Sequence, residues 1–140
     1  MSRSNYDDSC DGWDLIRWRG AVASAIRGHR GQRLLQELLD ALDAMPEKVL
    51  IAEALVQDGR YCALGVVGHA RGLPLAEIDP EDSNQVAQQF DIADALAREI
   101  AFINDTDWNW QKETPAERWV RVRAWVARQL KTVSDEVDAP

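Results

Sequence analysis

Cysteine and histidine are scarce in this 140-residue chain, with two of each. Cys10 and Cys62 lie 52 positions apart and form no metal pattern by themselves, and His29 and His69 are each isolated. No metal or other cofactor is expected. The opening Met1–Asp14 is acidic and polar and lacks the basic-then-apolar order of a secretory signal. The expected compartment is therefore a reducing cytoplasm, with the thiols buried or idle. Long apolar runs are also missing. Nothing approaches the ~18–20 consecutive apolar residues that span a bilayer, so no membrane-integral segment is expected.

Positive charge is in deficit overall. Sixteen basic against 24 acidic side chains give a formal net charge of -8, which excludes a polycation that coats nucleic acid through its total charge. A local basic face stays open. The 46% apolar and 29% charged composition is that of a globular chain, and the length suits one domain with its own core.

Periodicity supplies the architecture. Residues 1–10 show none and predict a flexible acidic arm. Leu15, Trp18, Val22 and Ala25/Ile26 predict a helix over 12–27, broken by Gly28-His29-Arg30-Gly31. Leu34, Leu35, Leu38, Leu39 and Leu42 predict a second over 32–44, stopped by Pro46. The short break between them favours an antiparallel helix pair. Residues 48–60 fit two states. Leu50/Ile51 and Ala54/Leu55 favour a helix, whereas Asp58-Gly59 is a hairpin signal; the helix is the preferred reading.

Beyond it, a short helix over 62–71 ends at Gly72, and a loop with a helical turn covers 75–82. Residues 83–90 and 92–104 read as two helices, or as one kinked near Asp91, and then a last helix opens at Thr114-Pro115-Ala116-Glu117 and runs to about Val133. Residues 134–140 read as a frayed acidic tail. The expectation is an all-α, single compact domain of five to six helices over 11–133, with room for one short β-hairpin near Asp58-Gly59. Its core would draw on Leu15, Trp18, Val22, Ile26, Leu35, Leu38, Leu42, Leu64, Val67, Leu96, Ile100, Trp119, Val122 and Val126.

Two regions carry candidate function. In Asp105-Thr106-Asp107-Trp108-Asn109-Trp110, alternation puts Trp108 and Trp110 on one side of a polar loop. They either cap the core or, with Asp105 and Asp107, form a partner-binding surface. The second region is basic: Arg17, Arg19, Arg27, Arg30 and Arg33 precede a last helix with Arg118, Arg121, Arg128 and Lys131 on one flank, and Trp125 sits at that flank's boundary. Such helices can contact phosphates and stack bases. The simpler account is that their stems cover apolar surface, stack on indoles and cap helix C-termini.

Catalytic signatures are weak. Glycines 59, 65, 68 and 72 spell neither a dinucleotide nor a phosphate loop, and Gly65 and Gly68 read as a small face admitting a neighbouring helix. An enzyme would need His29 or His69 in a pocket beside a carboxylate. His69 is better read as a hydrogen-bonded helix residue.

Tyr61-Cys62-Ala63-Leu64-Gly65-Val66-Val67-Gly68, with Phe102-Ile103-Asn104-Asp105 before an amphipathic last helix, is similar to small, mostly uncharacterised bacteriophage and prophage proteins. These often read Cys-Ala-Leu-Gly or Cys-Cys-Leu-Gly and later Leu-Asn-Asp. Ala63 here replaces the second cysteine of the commoner form. Trp18-Arg19-Gly20-Ala21-Val22, and Ile26-Arg27-Gly28 through Gly31-Gln32, resemble the start of one such group. The resemblance spans most of residues 13–130 and brings no active site. It implies a phage or prophage origin and a cytoplasmic role in a bacterial host. The leading expectation is thus a non-enzymatic accessory protein that binds a host or phage protein, with modulation of host defence as one such role. A nucleic-acid-binding module and a small enzyme are the alternatives.

Overall fold

The three- and four-residue spacing of apolar side chains becomes helix along most of the chain. The computed structural model describes Arg3, residues 12–106 and residues 112–130, with side chains in the first helix from Ile16 onward. Helices α1 (Gly12–Arg27) and α2 (His29–Ala44) come first, followed by a hairpin of β1 (Val56–Gln57) and β2 (Arg60–Tyr61). Then come α3 (Ala63–Arg71), a 3-10 turn at Leu75–Glu77, α4 (Ser83–Phe90), α5 (Asp94–Asp105) and α6 (Pro115–Gln129). The fold is all-α with one two-stranded antiparallel hairpin, as the sequence predicts.

Helix α2 lies at the centre, packed on α3 and α6, while α1 rests on α2 and α5. Leu35, Leu38 and Leu42 of α2 are fully buried with Val67 of α3, Phe90 of α4, Leu96 and Ile100 of α5, and Val122 and Val126 of α6. One continuous apolar core results. Trp119 is half-buried against this core rather than inside it. Trp18 is likewise half-buried, beneath the Arg98 guanidinium at 4.1 Å from the ring centre. The expected core position Leu15 lies outside the described side chains.

The break between α1 and α2 is shorter than the sequence suggests. Gly28 alone interrupts the helices, and α2 starts at His29. A Cβ on Gly31 would sit 1.9 Å from the carbonyl oxygen of Ala25, so only glycine lets α2 begin so close to the end of α1. Gln32 Nε2 donates to the carbonyls of Ile26 and Gln129, which ties the ends of α1 and α6 together. At the other end of the chain, α6 opens as expected, with a reciprocal capping box between Thr114 and Glu117 and Pro115 in the first turn.

Residues 48–60 are not a helix, and this corrects the preferred reading. Asp58 and Gly59 both take left-handed φ values, 53° and 76°, the requirement of a two-residue turn whose twist matches paired strands. Val56 pairs with Tyr61 and Gln57 with Arg60. Upstream, distant groups replace the bonds a helix would have made. The Leu50 N–H donates to the Pro115 carbonyl, the Ile51 N–H to Tyr61, and the Glu53 N–H to the Asp105 carboxylate. This extended course buries both Leu50 and Leu55.

Gly65 and Gly68 do permit close approach, but their neighbours are not another helix backbone. A Cβ on Gly65 would lie 1.9 Å from the Leu55 carbonyl oxygen in the strand approach, and one on Gly68 would meet side chains of Leu75 and Phe90. Gly65→Ala is therefore expected to destabilise by at least about 1–3 kcal/mol, because backbone must move rather than a side chain. Gly20→Ala, at an exposed α1 position where an added Cβ meets nothing within 4 Å, serves as comparison in urea melts. Equal midpoints for Gly65→Ala and wild type would show that the loop yields freely.

Candidate functional site

The C-terminal end of α5 gathers most of the buried polar chemistry. Asn104 is 1% exposed, and its side chain makes three bonds: Oδ1 accepts the Ala63 N–H, while Nδ2 donates to the Ile51 carbonyl and to Asp105. Asp105 receives the Arg3 guanidinium in a bidentate pair of 2.8 and 2.6 Å, and Arg3 also reaches Cys62 Sγ at 3.4 Å. Burial alone would raise the Asp105 carboxyl, but the Arg3 bond and charge, with donors from Glu53 and Asn104, hold it below its ordinary value. Asp105 is thus engaged within the fold. Its companions Asp107, Trp108 and Trp110 lie outside the described residues.

The arginines divide by role. Arg118 is buried and donates to the Asn104 carbonyl; Arg121 donates to the carbonyls of Ile103 and Thr106 and pairs with Glu113. Both cap the α5 C-terminus, where cations complement the helix dipole. Arg30 pairs with Asp91 at 3.3 Å and lines a small recess with Arg33 and Arg71. Arg17 is exposed on α1, and Lys131 falls outside the described residues. Among the described residues, Arg19, Arg27 and Arg128 are the candidates brought together across the two basic segments. They line a groove of about 490 Å³ between α1 and α6, with Trp125 in its wall.

A second concavity was not legible in the sequence. A cleft of about 400 Å³ opens between the end of α2, the hairpin and α3. Ala41, Ala44, Met45, Pro46, Val49, Val66 and Ala70 give it an apolar lining. Its polar rim holds two pairs. Glu47 meets Arg60 at 3.0 Å, and Tyr61 stacks on His69 with its hydroxyl 3.1 Å from Nδ1. His69 is thus hydrogen-bonded, as read from sequence, yet it also lines a pocket that contains a carboxylate. His29 is exposed at the start of α2. The signal for the cleft was available only in part. Alanines at 41, 44 and 70 leave space, but the opposite wall needed the hairpin.

This volume falls within the range of preformed ligand pockets, and an apolar floor with a few polar rim groups suits an inserted side chain. No serine, threonine or cysteine lines it among the described residues. Likewise, no group of three or more His, Cys, Asp or Glu side chains is placed to hold a metal ion among them. No described helix is long and apolar enough to cross a membrane. Protein-family models, curated proteins and solved structures give no match to this chain.

Proposed function

We propose that this protein acts by binding another protein, without chemistry of its own, and that the cleft between α2, the hairpin and α3 receives an apolar side chain of the partner. The apolar cleft with its Glu47–Arg60 and Tyr61–His69 rim carries this reading. Interface energy concentrates where an anchor side chain fills such a pocket and the surrounding polar groups exclude water. The similarity of the Cys62–Gly68 and Phe102–Asp105 segments to phage and prophage proteins adds a setting. It is an accessory factor in the cytoplasm of a bacterial host, aimed at a host or phage protein, with host defence among its targets.

Ala70→Arg tests the cleft. Ala70 is an exposed helical position, so the substitution leaves the core alone and sets a long charged side chain over the apolar floor. Immobilised wild type should retain a defined stoichiometric partner from host lysate. Retention should fall about tenfold or more with Ala70→Arg, the loss of one anchor contact, and persist in a variant altered only in the α1–α6 groove. Undiminished retention by Ala70→Arg, or nothing retained by wild type, defeats the proposal.

A further inference from the structure

We propose that Arg3 is a positioning residue of the cleft: through Asp105 it holds Glu53 in a left-handed turn, and that turn seats the hairpin that forms one wall. The inference rests on the proposed role of the cleft and adds what keeps the cleft in shape. The helical wall, from the end of α2 and from α3, is built directly on the core. The hairpin wall of Gly59, Arg60 and Tyr61 hangs instead on its approach at residues 51–55. There the Ile51 N–H donates to the Tyr61 carbonyl and the Cys62 N–H to the Leu55 carbonyl.

That approach contains a strained residue. Glu53 has a φ of 65°, a region that residues with a Cβ seldom occupy. Such a conformation persists where its surroundings over-determine it. Here the Glu53 N–H donates to Asp105 Oδ1 at 3.0 Å, and the same oxygen takes Arg3 Nη2 at 2.6 Å and Asn104 Nδ2 at 2.9 Å. One carboxylate oxygen thus joins the strained turn, the end of α5 and the guanidinium. Deprived of its cation, a carboxylate only 12% exposed gains by turning toward water. Its hold on the Glu53 N–H weakens, Glu53 relaxes to negative φ, and the hairpin wall shifts away from α2 and α3. Glu53 itself is exposed, so its side chain can be exchanged without touching the core.

Amide hydrogen exchange on the full chain, followed by NMR, tests this. Arg3→Met should speed exchange at Ile51 and Cys62 by about tenfold or more, the equivalent of one lost charge-assisted bond. Leu34→Ala lowers global stability from the first half of α2 and should leave these two amides within about twofold of wild type. Glu53→Val, with Arg3 in place, should act like Arg3→Met, because a β-branched side chain opposes positive φ. Glu53→Gly added to Arg3→Met should return about threefold or more of the lost protection, since glycine takes this φ freely. An arginine that merely packs has no reason to respond to residue 53. The NOE between the Tyr61 and His69 rings, 4.7 Å apart on the cleft rim, should weaken and recover in step. Equal acceleration by Arg3→Met and Leu34→Ala overturns the proposal. So does a Glu53→Gly that restores nothing, or a Glu53→Val that changes nothing. These rates need no partner: a lysate that yields none defeats the binding role of the cleft alone, and a failed clamp leaves retention of a partner unexplained by Arg3 but intact.

Discussion

Replacing Arg3 with methionine is expected to lower the unfolding free energy by about 3–5 kcal/mol, the usual consequence of leaving one half of a buried ion pair alone. Arg3 is 3% and Asp105 12% exposed, so water cannot take over the role of the guanidinium. The effect should carry a pH signature. In wild type the Asp105 carboxyl is held below its unfolded value, so its contribution is full above that value and is lost as pH falls through the lowered one. In Arg3→Met the carboxyl is buried without a cation. Its pKa then rises, and protonation relieves the variant as pH falls. The stability gap between the two proteins should therefore narrow steadily on acidification from neutral pH. Urea melts at several pH values measure it, and a constant gap would mean that Arg3 acts through packing alone. Asp105→Asn added to Arg3→Met should recover part of the loss, since no charge is then left buried.

The second large effect is expected at Asn104. Asn104→Ala removes the acceptor for the Ala63 N–H and the donor for the Ile51 carbonyl, both distant in sequence from residue 104. Each buried group left without a partner costs about 1–3 kcal/mol, so a loss of about 2–6 kcal/mol follows for the pair. Asn104→Asp should rescue little. It keeps an acceptor for Ala63 but removes the donor for Ile51 and adds charge beside Asp105. An unfolding free energy for Asn104→Ala that stays within about 1 kcal/mol of wild type in urea melts would show that Ile51 and Ala63 find other partners.

These two residues also explain what the sequence does and does not disclose. Helices α1, α2, α4 and α5 repeat their apolar positions at helical spacing, and Thr114-Pro115-Ala116-Glu117 carries its own start signal, so local pattern suffices for them. Residues 48–55 have helical spacing too, yet their backbone groups are taken by Pro115, Tyr61, Asn104 and Asp105. A pattern confined to a short window contains none of those partners. Arg3 is hidden for the same reason, since nothing in Met-Ser-Arg-Ser signals burial. The cleft needed the hairpin in place before it had walls. The arginines show the opposite case: their types and spacing were plain. Only the fold separates Arg118 and Arg121, which finish α5, from Arg19, Arg27 and Arg128, which share a groove.

The Arg3–Asp105 bond joins residues 102 positions apart, which gives it a consequence in time as well as in energy. Closing so long a loop carries an entropic cost of order 4 kcal/mol before any contact forms, so the pair is a poor nucleus and a natural last step. While a ribosome is still making the chain, Arg3 must wait for nearly the whole domain to emerge before its partner exists. Until then Arg3 and the hairpin approach stand without the Asp105 carboxylate that joins them. Changes at Arg3 should accordingly appear as faster opening of the finished protein, with the rate of its first collapse little altered.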